Sequence, residues 1–168
     1  MRRYRSAAAE RDYHKSNLIV RIDYAPSPAA RQLASKLLAA HPTRREALSV
    51  ALLDRMASEL KVPPVKLNFL DKPQKHRRRG GRLTYKEYAY YEQEEGITIY
   101  NKTAVRHQYL AAKSYLDTLV HEFLHHLDYK LLKLRHTYHT KGFYSRLSDL
   151  MGKLQDNRPS QLELFSQR

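Results

Sequence analysis

Hydrophobic positions recur at helical spacing early in the chain, alternate in its middle, and return to helical spacing towards the end. Ser27-Pro28 supplies an N-cap and a proline at the first helical position, and Leu33, Leu37 and Leu38 mark one apolar face. Thr43-Arg44-Arg45-Glu46 reads as a capping box that opens a second helix. Leu48, Leu52, Leu53, Met56 and Leu60 form its apolar side, and Pro63-Pro64 stop it. The period then changes to two: Val65, Leu67 and Phe69 alternate with Lys66 and Asn68, as in a half-buried strand. Residues 71–82 read as a basic loop, Leu83 to Tyr91 as an extended Tyr-rich segment, and Ile97-Thr98-Ile99-Tyr100 as a short strand after Gly96. A further short strand is expected at Leu18 to Ile22. Helices, a few strands and helices again predict an α+β fold without internal repeats. Residues 1–17, with five basic side chains and little apolar content, read as a flexible basic arm. Residues 18–155 form the folded domain, and 156–168 a flexible tail.

The most informative stretch runs from about Gln108 to Arg135, where neither Pro nor Gly interrupts the chain. Leu116, Leu119, Val120, Phe123, Leu124, Leu127, Leu131 and Leu134 fall within a sector of roughly 140° on a helical wheel. His121 and His125 lie opposite the centre of that stripe, about 40° apart, with Glu122 on the same solvent side. One turn separates the two imidazoles, so one helix holds both rigidly towards a single ion. This is the HExxH pattern: imidazole nitrogens suit Zn²⁺, an open position takes water, and the glutamate accepts its proton. With nine His in the chain, a chance match anywhere is roughly 0.025. Candidates for a third ligand are His126, Asp128, His136 and His139. His126 points about 100° away from His125. Asp128 is placed to accept from an imidazole N–H rather than to bind metal. His136 remains open, and His139 is favoured because Gly142-Phe143 begin another amphipathic helix with Leu147, Leu150 and Leu154.

Composition narrows the chemistry. The chain of 168 residues suits one domain, and it has no Cys, which excludes disulfides, thiolate ligands and a Cys nucleophile. No apolar run reaches about 18 residues, and Met1 to Lys15 lacks the apolar core of a signal peptide, so a cytoplasmic protein is expected. A formal net charge of +14 draws in polyanions, of which nucleic acid is the commonest.

Asp117 to His125, followed by His139-Thr-Lys-Gly-Phe143, resembles the SprT-like and YgjP-like zinc metallopeptidases, over roughly residues 95–155. The resemblance implies a minimal zincin-like fold, one Zn²⁺ on His121, His125 and His139, and Glu122 as general base. It also implies an edge strand beside the metal, a role expected here for Ile97 to Asn101, pairing with an extended peptide. Two departures stand out: Thr140 occupies a position where the family often has Gly or Ser, and the Cys-based zinc ribbon of some members is absent.

Two segments suggest partners. Lys72, Lys75, Arg77, Arg78, Arg79 and Arg82 are candidate phosphate clamps, with Tyr85, Tyr88, Tyr90 and Tyr91 available to stack on bases. Near the C-terminus, Gln161-Leu162-Glu163-Leu164-Phe165 is similar to the peptide by which bacterial proteins dock on the DNA sliding clamp. There the residues matching Gln161, Leu162, Leu164 and Phe165 make the contacts. The expectation is a zinc-dependent endopeptidase acting on DNA-associated proteins. Rival readings are a regulatory metallopeptidase for one repressor or toxin, and a DNA- and clamp-binding adaptor with a structural metal site.

Overall fold

The computed structural model describes residues 6–80 and 82–156. Five helices surround a small mixed sheet: α1 (Ala7–Leu18), α2 (Pro28–Ala39), α3 (Arg45–Glu59), α4 (Ala112–Lys130) and α5 (Lys141–Gln155). Strands β1 (Leu67–Pro73), β4 (Ala89–Glu92) and β5 (Gly96–Lys102) form the sheet in the order β1-β5-β4. β5 runs parallel to β1 and antiparallel to β4. β2 (His76–Arg79) and β3 (Arg82–Lys86) make a separate two-stranded hairpin. The α+β expectation therefore holds.

The core joins α2, α3, α4 and α5 to the sheet through Leu37, Leu52, Met56, Ile97, Ile99, Leu119, Phe123, Phe143 and Leu150, each shielded from solvent. Ser27 caps α2 as its sequence predicts, accepting from the Ala30 N–H at 3.2 Å. Gly96 opens β5 with a φ of +90°, where a side chain would sit 2.2 Å from the Lys66 carbonyl. Only glycine fits that approach, and the Ile97 N–H donates to the same carbonyl at 2.8 Å.

Several local expectations are corrected. Residues 7–17 are not a flexible arm but most of α1, which Ser6 caps and which lies against α5. Its contacts are largely polar, so no apolar stripe announces it. Leu18 to Ile22 is not a strand: Leu18 ends α1, and Asp149 and Lys153 of α5 take the Ile22 N–H and C=O. The capping box at Thr43 does not form. Pro42–Arg44 is a 3-10 turn, the Thr43 hydroxyl meets His41, and α3 starts at Arg45 without a side-chain cap. The buried Arg45 anchors that end instead, donating to Asn101 Oδ1 at 2.9 Å and to the Leu110 carbonyl at 2.8 Å. Finally, residues 71–82 are no plain loop, because β1 extends to Pro73 and Gly80, with φ +56°, turns β2 towards β3.

No described helix is long and apolar enough to cross a membrane. The peptide 161–165 lies outside the described residues.

Candidate metal centre

α4 buries Leu116, Leu119, Val120, Phe123, Leu124 and Leu127 on the stripe read from the sequence. That anchorage fixes the opposite side, where His121 and His125 stand one turn apart with ring centroids 5.0 Å from each other. The extended segment before α5 brings His139 between them. His139 Nε2 lies 2.9 Å from His121 Nε2 and 3.0 Å from His125 Nε2. Two nitrogens bonded to one tetrahedral ion at 2.0–2.1 Å lie about 3.3 Å apart, so this spacing fits a shared cation. The three ligand atoms all fall within 4.8 Å of one another, close enough to hold a metal ion.

Protonation favours the same use. Burial, then the neighbouring His139, pushes His121 down to about 4. Burial, then His121, His139 and Arg146, pushes His125 down to about 3, and burial lowers His139 as well. All three rings are therefore neutral near pH 7, the state a metal ligand requires. His125 Nδ1 meets the Thr137 hydroxyl at 2.8 Å. With Nδ1–H donated there, Nε2 keeps a bare lone pair aimed at the cluster. Three neutral imidazoles whose Nε2 atoms lie this close are a donor set that suits a metal ion.

Glu122 shares a cleft of about 390 Å³ with His121 and His139, lined further by Tyr88, Ala89 and Tyr90 of the β4 side. The wheel placed it on an exposed side; it is buried, because β4 packs over this face of α4. Burial raises its carboxyl to about 7, against the opposing pull of a hydrogen bond from the Tyr91 backbone. The strand beside the site is also corrected. Ile97 to Asn101 belongs to β5, the central strand, and the edge strand beside the histidines is β4. The Tyr100 N–H donates to the Tyr88 carbonyl, so antiparallel alternation turns the backbone groups of Ala89 and Tyr91 away from β5. The β4 edge thus offers main-chain groups along the cleft.

Asp128 does not orient an imidazole. It is fully buried, and both its oxygens accept from Arg146 Nη2 of α5, at 3.0 and 2.8 Å. Such a role is open instead to Thr137 at His125, and Thr137 carries no sequence signal beyond its place between two histidines. His126 points away as expected: its Nε2–H donates to the Pro63 carbonyl at 2.9 Å, so Nδ1 accepts from the Tyr91 hydroxyl at 3.1 Å. His136 is held by Asp12 at 3.0 Å, away from the cluster. Thr140 has a local reason: it caps α5, accepting from the Phe143 N–H at 3.0 Å. Tyr144 stacks on His139 with centroids 5.9 Å apart, while Tyr138 packs edge-on against Tyr13.

The candidate phosphate clamps Lys72, Lys75, Arg77, Arg78, Arg79 and Arg82 are all exposed, and the last four lie on the hairpin. Tyr85 and Tyr88 are also open to solvent, whereas Tyr91 is committed to His126. No family model matches the chain, and no curated protein or solved structure matches it either.

Proposed function

We propose that this chain is a zinc-dependent endopeptidase with a minimal zincin-like fold, similar to the SprT-like and YgjP-like peptidases, acting on DNA-associated proteins. One observation carries the reading: three imidazole nitrogens converge beside a cleft that also holds a buried glutamate and follows a strand edge. Three histidines with room for a fourth ligand are a donor set that suits catalytic Zn²⁺, whereas structural zinc sites fill all four positions from the protein. A bound zinc ion supplies Lewis acidity, polarising a carbonyl and acidifying water towards pKa 7.

The chain's own residues do the rest. His121, His125 and His139 hold the ion, and Thr137 fixes the ring of His125. The β4 edge aligns an extended peptide through main-chain hydrogen bonds, which favours polypeptides over small molecules. Glu122 takes a proton from the attacking water and returns it to the departing amine, with the Tyr91 N–H steadying its carboxylate. The basic hairpin beside the same cleft, with Tyr85 on its wall, is the surface for DNA. Residues 161–165 are the proposed contact with a sliding clamp.

The test is cleavage of an unfolded protein by zinc-loaded chain, with and without DNA. Glu122→Gln is expected to retain zinc and lose about 10²–10⁴ in rate, the usual worth of a general base. Stimulation by DNA supports the DNA setting. Retained zinc without cleavage of any substrate refutes the peptidase and favours an adaptor with a structural metal. Deleting residues 161–165 is expected to abolish binding to the clamp, and unchanged affinity refutes that contact.

A further inference from the structure

Two of the three converging histidines ride on α4, whose hydrogen-bonded backbone fixes them. His139 does not. It is the most exposed of the three and sits in residues 131–140, outside any helix or strand. From His136 to Thr140 the side chains alternate between two neighbours. Thr137 and His139 face the α4 cluster, through His125 and through both histidines. His136, Tyr138 and Thr140 face α1: His136 meets Asp12 at 3.0 Å, Tyr138 packs on Tyr13 with centroids 5.8 Å apart, and Thr140 meets the Ser16 hydroxyl at 3.0 Å. Neighbouring side chains in this stretch point opposite ways, so gripping one set decides where the other set points.

α1 grips through one face. Lys15 Nζ donates to the Leu132 carbonyl at 2.6 Å. A single oxygen of Asp12, Oδ2, accepts from the Arg135 N–H at 3.1 Å, the His136 N–H at 3.0 Å and His136 Nδ1. Two consecutive amides of the ligand-bearing segment thus end on a carboxylate from a helix more than a hundred residues earlier. Hydrogen bonds to an ionised acceptor are the stronger kind, and these lie three and four residues before His139.

We propose that α1 is the element that positions the third metal ligand, and that Asp12 is its principal positioning residue. The inference rests on reading the histidine cluster as a metal centre. Without Asp12 the segment must be ordered by the metal itself, and that ordering subtracts from affinity.

Zinc affinity, measured by competition with a chromophoric chelator, tests this alongside the visible spectrum of the Co²⁺-substituted protein. Asp12→Ala is expected to weaken zinc binding ten- to a hundredfold, the range found for partners that orient ligands. Its Co²⁺ bands are expected to weaken as water replaces His139. Asp12→Asn keeps an acceptor oxygen without the charge and should fall between the two; it also serves if the alanine variant does not fold. A lower melting temperature with wild-type zinc affinity and an unchanged Co²⁺ spectrum would mean that Asp12 only supports the fold, overturning the proposal. Failure of the wild-type chain to bind zinc at all would overturn the metal centre together with it.

Discussion

Burial sets the protonation of every side chain in the histidine cluster, and this has a consequence for the metal-free protein. Unfolding releases His121 from about 4, and His125 from about 3, to the ordinary value of 6.5. Below pH 6.5 the unfolded chain therefore binds protons that the folded chain refuses. Stability rises with pH through this window and is lost as pH falls from about 6.5 towards 4. His125 alone accounts for about 2 kcal/mol between pH 7 and pH 5. Urea denaturation of chelator-treated protein at those two pH values should show the loss, and His125→Asn should reduce it. Glu122 bears the opposite shift, held up to about 7 by its burial. A divalent cation beside it favours the carboxylate, so the metal that needs a base also helps to ionise it.

The helices are joined at their ends by Arg146 of α5, a fully buried cation. It donates to the Ser16 carbonyl at 2.7 Å, to the Ile19 carbonyl and to Asp128 of α4, which ties α1, α4 and α5 at one point. Burial pushes Asp128 up to about 6, while Arg146 pulls it back through charge and hydrogen bonding. Removing one partner leaves a buried charge alone. Asp128→Ala is expected to cost about 3–5 kcal/mol in urea denaturation, whereas a value below 1 kcal/mol would show that water reaches the guanidinium. Gly142 serves the same junction: a side chain there would lie 2.2 Å from the Ser16 carbonyl, so α1 closes on α5 only over glycine. These contacts put α1 where Asp12 and Lys15 reach the segment that carries His139.

At the scale of the whole molecule, the net charge of +14 is spread unevenly. The hairpin carries His76, Arg77, Arg78, Arg79, Arg82 and Lys86 on two strands whose residues are all exposed. Its end reaches the cleft through Tyr85 and Lys86. Replacing Arg77, Arg78 and Arg79 by alanine is expected to weaken single-stranded DNA binding and to flatten its salt dependence, by about 0.7 in log–log slope per lost phosphate contact. Anisotropy titrations at several salt concentrations read both quantities. DNA-free cleavage should stay unchanged, since none of these arginines lies among the histidines. An unaltered salt slope would assign the DNA surface elsewhere.

What the sequence determined by itself was set by short-range geometry. The 3.6-residue period placed His121 and His125 on one face of α4, because residues four apart on a helix are neighbours whatever else the chain does. Ser27-Pro28 and the apolar runs likewise marked α2, α3, α4 and α5, and the downstream amphipathic helix pointed to His139. The tertiary structure alone decided what depends on distant approach. No local pattern says that Asp128 turns to a buried Arg146, that Thr137 meets His125, or that β4 rather than β5 is the edge. α1 was the least legible, because polar side chains hold it in place and its apolar content is small. Its contacts with residues 132–140 join parts of the chain more than a hundred residues apart, and such pairing leaves no periodic trace.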